Sequence, residues 1–160
     1  MGDSDKDLQP IIRQIILNQI DHTLKTACLI GCKNTHTMDY LIVKEKIPTI
    51  NIKDVTFPRT SIEFIDINKR FEITGYDFVG CFRTLHYGNN RLHLLEQLNI
   101  LKKNNKKIMF DICQLSKTKK RTESMLQDSE QLSLDCLKAG FLLVETVISP
   151  EGDRYDYYIS

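Results

Sequence analysis

Residues 108–113, I-M-F-D-I-C, set the strongest limit on what this chain can fold into. A strand this apolar has no face to give to water, so other elements must cover both of its sides. That is the character of a central strand in a parallel sheet, which needs helices on either side.

The surrounding segments supply those helices and further strands. Leu8, Ile11, Ile12, Ile15, Ile16 and Ile20 recur at three- and four-residue spacing and predict an amphipathic helix over 7–24. A short apolar strand over 27–30 follows, closed by Gly31. Met38, Leu41 and Ile42 share one face of a second predicted helix, 35–46, which Pro48 stops. Residues 49–55 and 61–67 are rich in β-branched and apolar side chains and read as strands, with Pro58 and Arg59 between them. Residues 76–82 read as another strand, set between Gly75 and the turn-prone Gly88-Asn89-Asn90.

Leu92, Leu95, Leu98, Ile100 and Leu101 predict a helix that ends in Lys102-Lys103-Asn104-Asn105. Lysines in the last turn suit the helix dipole, and asparagine tolerates the left-handed cap conformation. After the apolar strand comes a polar connection over 117–124, then a predicted helix over 124–139 capped by Gly140. Strands over 141–149 and 154–159 are joined by Pro150-Glu151-Gly152-Asp153, a hairpin by its turn chemistry.

This order implies an α/β chain: a three-layer, Rossmann-like, mostly parallel twisted sheet with a C-terminal antiparallel hairpin strand. The hairpin is expected to form an antiparallel edge, with Tyr155, Tyr157 and Tyr158 packing on it around Asp156. A length of 160 residues fits one domain, 1–160, made of an N-terminal amphipathic helix within 1–25 and an α/β core over 26–160. No repeat or linker divides it.

Composition narrows the function classes. A formal net charge of +1 gives no support for broad attraction to nucleic acid. The local basic runs, Lys102 to Lys107 and Lys117 to Arg121, read as solvated loop faces rather than phosphate contacts. The odd number of cysteines, mostly inside apolar runs, suits reduced buried thiols in a cytoplasmic or nuclear protein. No Cys/His spacing completes a metal site. The polar, acidic start lacks the form of a signal or transit peptide, and position 6 is lysine where a myristoylation signal wants Ser or Thr. No apolar run is long enough to span a membrane.

Two stretches carry a family resemblance: "YDFVGCFRTLHYGNNRLHLLEQLNILKKNNKKIMFDI" and "LDCLKAGFLLVETVISPEGDRYDYYIS". Together with the order of elements, they resemble class I S-adenosylmethionine-dependent methyltransferases over nearly all of 26–160. The resemblance implies a parallel sheet with a terminal antiparallel hairpin, and S-adenosylmethionine as cofactor. It also implies a glycine-rich loop after the first strand, with Gly31 as its glycine. An acid at the end of the second strand would hold the ribose (Asp54), and one after the third would lie near the adenine (Asp66).

The chain departs from that pattern in the cofactor half. Leu29 stands where the family places an acid, and Lys33 and Thr35 where it places two more glycines. A lysine adds bulk where a cofactor wants bare backbone. Between the strands at 49–55 and 61–67 there is too little chain for the usual crossover helix. The two segments are therefore expected either to form an antiparallel hairpin or to have lost that helix.

Each candidate also has a plainer reading. His86, in "TLHYG", has the right ordinary pKa for a general base near a methyl acceptor, or packs as a loop histidine. His36 reads as a helix cap. Asp54 and Asp66 hold the cofactor, or serve as turn residues at strand ends. Two functions follow from the resemblance. The preferred one is a methyltransferase-like domain with an impaired cofactor site that serves a protein partner or oligomer. The other is an active small methyltransferase acting on RNA, protein or a small molecule.

Overall fold

A computed structural model describes residues 7–56, 58, 61–116 and 118–160. Its centre is a seven-stranded sheet in the order β3-β2-β1-β4-β5-β7-β6. The strands are β1 (Thr26–Ile30), β2 (Thr49–Asp54), β3 (Glu63–Phe64), β4 (Phe78–Cys81), β5 (Lys107–Gln114), β6 (Leu142–Ile148) and β7 (Arg154–Ile159). β3, β2, β1, β4 and β5 run parallel, and β7 is antiparallel to both its neighbours.

Helices α1 (Gln9–Asn18) and α2 (Met38–Lys44) cover one face, and α3 (Arg91–Asn104) and α4 (Ser129–Lys138) cover the other. Strand alternation divides the core accordingly. Ala27, Leu29, Phe78 and Met109 pack under α1 and α2. Cys28, Ile30, Ile108 and Phe110 pack under α3 and α4. Thus β1 and the apolar β5 are covered on both faces, as their composition requires. Lys46 Nζ donates to the carbonyls of Leu17 (2.9 Å) and Ile20 (3.1 Å), and Lys107 Nζ to that of Gln19 (2.7 Å). These bonds satisfy carbonyls left open at the end of α1 and tie it to the sheet.

Several boundaries differ from the sequence pattern. α1 stops at Asn18 rather than 24, because Asp21 turns the chain by accepting from the Thr23 N–H at 2.8 Å. α2 begins only at Met38, where the Thr37 hydroxyl caps it by accepting from the Tyr40 N–H; residues 35–36 are spent in the preceding turn. α4 begins at Ser129 rather than 124, since residues 122–125 form a turn of their own.

The segment at 61–67 is not an antiparallel hairpin partner. Only Glu63 and Phe64 pair, and they pair parallel to Lys53 and Asp54. Because β3 meets only the last two residues of β2, the chain never has to return along the whole strand. A short connection therefore suffices, and no helix lies between β2 and β3 among the described residues. The face that a helix would have covered is open. Thr49 and Asn51 are exposed, while Ile50 and Ile52 pack under α2.

The hairpin also differs in its order. β7 lies between β5 and β6, so Tyr157 and Tyr158 are wholly buried rather than on an edge, and β6 forms the edge. Asp156 is buried with them and accepts from Ser133, Thr146, Gln114 and Arg154. A buried carboxylate with that many donors is fully satisfied.

Candidate functional site

In an open parallel sheet, ligands bind beyond the carboxyl ends of the strands, where the strand order reverses. Here that point lies between β1 and β4. A cavity of about 630 Å³ opens there, bounded by Gly31 and Lys33 after β1, Asp54 at the end of β2, and Phe82, Arg83 and His86 after β4.

Gly31 makes the turn out of β1 with φ +88°, a left-handed conformation that favours glycine. Its N–H and that of Cys32 both donate to the Lys53 carbonyl, at 2.8 and 3.0 Å. A Cβ at residue 31 would lie 1.9 Å from Thr84 Oγ1. The bare side of this glycine is therefore occupied by the protein itself. Thr84 is buried and anchored there by donating to the Phe82 carbonyl at 2.7 Å.

Beside it lies a cluster of charged groups that the sequence reading did not single out. Arg83 has φ +48°, and its backbone N–H donates to Asp111 Oδ1 at 2.8 Å. Its guanidinium reaches α2 and pairs with Asp39 at 2.6 Å. Asp111 and Tyr157 lie beneath. Arg83 Nη1, Asp111 Oδ2 and the Tyr157 hydroxyl are buried with no hydrogen-bond partner among the described residues, although the hydroxyl faces the Asp111 carboxyl.

Burial pushes the Asp111 carboxyl up to about 7, against the pull of the Arg83 charge and N–H. Burial likewise raises Asp39, with Arg83 opposing. Burial works against the Arg83 charge, but the two carboxylates outweigh it and hold the guanidinium firmly protonated. The signal in the sequence was Asp111 itself, a lone acid inside an apolar strand.

His86 lies in a short 3-10 turn, Leu85–Tyr87, and its carbonyl accepts from the Leu126 N–H at 3.1 Å. Burial, then the charges of Arg121 and Arg83, push its imidazole down to about 4. It is neutral at pH 7 and a weak base. With Arg83, His86 also borders a second, smaller chamber of about 360 Å³ on the β5 side.

The structure brings Gly31, Asp54 and His86 to the larger cavity. Asp54 is also used locally: its Oδ1 accepts from the Thr56 N–H (2.8 Å) and hydroxyl (2.7 Å). Asp66 lies elsewhere, in a groove beside β3 with Lys53, Glu63 and Tyr76, and accepts from the Asn68 N–H at 3.0 Å. Leu29 points into the core under α1 and α2. Lys33 is an exposed side chain on the cavity rim, Thr35 is exposed outside the lining, and His36 sits in the turn before α2, on the rim. Among the described residues, no group of three or more His, Cys, Asp or Glu side chains is placed to hold a metal ion. No described helix is long and apolar enough to cross a membrane.

The chain matches no protein-family model and no curated protein. Its fold, however, is shared with solved methyltransferases. The N-methyltransferase NodS from Bradyrhizobium japonicum WM9 aligns at a TM-score of 0.69 and 12% identity, over 99% of this chain and 97% of its own. Magnesium protoporphyrin IX methyltransferase (ChlM) from Synechocystis PCC 6803, with bound SAH, aligns at 0.64 and 11%, over 98% and 83%. A SAM dependent methyltransferase from Aquifex aeolicus aligns at 0.58 and 15%, over 99% and 93%. NodS has also been solved with S-adenosyl-L-homocysteine. This chain therefore has a class I methyltransferase-like fold.

Proposed function

We propose that this domain keeps the methyltransferase fold but holds S-adenosylmethionine poorly, and that it serves a protein partner in a structural or regulatory role. The observation that carries the reading is the contact between Gly31 and Thr84. A cofactor loop leaves glycine backbone bare so that the ligand can approach it, and here a buried threonine takes that space. The use of the cavity's acids supports the same reading. S-adenosylmethionine carries a cationic sulfonium, and of the two carboxylates on the cavity Asp39 is paired to Arg83 while Asp54 accepts from Thr56. The residues present therefore fit this cofactor poorly.

A partner is supported by the far edge of the sheet. β6 has one strand neighbour, and it exposes Leu142, Leu143 and Ile148. Exposed apolar side chains on an open edge strand are features of a surface meant to be covered.

Thermal denaturation with 1 mM S-adenosylmethionine, and separately with S-adenosyl-L-homocysteine, tests this reading. A ligand of 10 µM Kd would add about 2.7 kcal/mol, or roughly 5–10 °C in Tm for a chain of this size. The expected shift with S-adenosylmethionine is under about 1 °C. Any response should be larger for the homocysteine form, which lacks the sulfonium charge. A shift of several degrees with S-adenosylmethionine would instead favour the active methyltransferase.

A further inference from the structure

We propose that the smaller chamber beside β5 is a binding site for a small organic anion, a carboxylate or phosphate carried on a flat apolar body. This goes beyond the role argued above and holds whether or not the larger cavity takes a cofactor.

Three observations on the chamber point the same way. Its polar lining is basic: Arg83, Lys120 and Arg121 contribute charge, and no carboxylate lines it. Of the nearby acids, Asp153 pairs with Lys119, and Asp39 and Asp111 both face Arg83 and offset its charge, so the basic character of the chamber rests on Lys120 and Arg121. Arg121 is held at the wall by donating to the Cys113 carbonyl, so its charge is fixed in place rather than swinging in solvent. The rest of the wall is mostly apolar, with Cys113, Leu115, Met125 and Tyr155 beside Thr122. About 360 Å³ falls at the lower end of small-ligand pockets, which run from about 300 to 1,000 Å³.

His86 reports the potential inside. Its imidazole is depressed to about 4 by burial and by the charges of Arg121 and Arg83. A half-buried neutral imidazole on the same wall as two guanidinium groups can donate its ring N–H to a carboxylate or phosphate oxygen. An arriving anion would offset the two positive charges and make His86 easier to protonate.

The test uses the full chain with histidine ring resonances followed by NMR across pH, and calorimetry in parallel. The probes are 2-naphthoate, 2-naphthyl phosphate and the neutral 2-naphthylmethanol. At least one anion is expected to bind and to raise the His86 pKa by about one unit or more. The alcohol is expected to bind at least about ten-fold more weakly, and Arg121→Gln to lose about ten-fold in anion affinity. Lys120→Gln, which leaves the Cys113 contact intact, should lose affinity in the same direction if Arg121→Gln does not fold. Binding of phosphate alone or carboxylate alone identifies the head group and supports the proposal. Equal binding of the alcohol and the anions, or no movement of the His86 resonances at 10 mM of either anion, would overturn it.

Discussion

The two flanks of the sheet are built to different standards. On the β5 side the strands are long, Lys107–Gln114 and Leu142–Ile148, and Phe110, Phe141 and Tyr158 interlock there. On the β2 side the last strand is two residues long, no helix crosses over among the described residues, and Phe64 is partly exposed. The cavity lies between them, next to the weaker flank. Aromatic packing is dense on the first flank, and the second contributes one two-residue strand beside the cavity. That contrast is what the proposed function rests on, and it can be probed residue by residue.

The contrast breaks most sharply at Phe110, which stacks on Tyr158 at 5.5 Å and meets Phe141 edge-on at 5.2 Å. Phe110→Ala is expected to cost about 3–5 kcal/mol in urea denaturation. Gly31→Ala comes next, at roughly 2–4 kcal/mol, from backbone strain and the collision with Thr84. Adding Thr84→Ala should recover the steric share and leave the strain, so the double variant should fall between Gly31→Ala and wild type.

Asp111 gives a pH test with a definite sign. Its carboxyl titrates near 3.8 when unfolded and about 7 when folded, so between those values the folded state binds the extra proton. Stability should therefore fall as pH rises through this window and level off above about 7. The loss attributable to Asp111 is expected to be about 1–3 kcal/mol between pH 5 and 7. Asp39, also raised, adds to the slope with the same sign. Asp111→Asn should flatten the curve in part, as denaturation across pH would show; an unchanged slope would count against this reading of the cluster. Smallest of all, Phe64→Ala on the thin flank should cost under about 1 kcal/mol.

How much of this was legible in the sequence follows the same division. The apolar runs at β1, β4 and β5 announced buried parallel strands, and the sheet has the expected class. The alternation Thr49-Ile50-Asn51-Ile52-Lys53 carried the news that one face of β2 is open, because only every second residue is apolar. The 61–67 segment misled because its pairing with β2 stops at Phe64 and the Ile65 N–H, while its buried apolar residues serve the core. Ile65 and Ile67 fill space under the α3 face as loop residues. The Arg83–Asp39–Asp111 cluster was hidden for a different reason. Its members are far apart in sequence, and Arg83 and Asp39 look like surface residues until the β4 turn and the α2 cap bring them together. Thr84 opposite Gly31 is likewise a tertiary contact that no local pattern reports.

The most direct measurement is a calorimetric titration of the wild-type chain and Asp54→Ala with S-adenosylmethionine up to millimolar concentration. The account predicts no measurable heat of binding for either protein, with both remaining folded. Micromolar binding by the wild type that disappears in Asp54→Ala would contradict it, and would make the cavity beside Gly31 a working cofactor site.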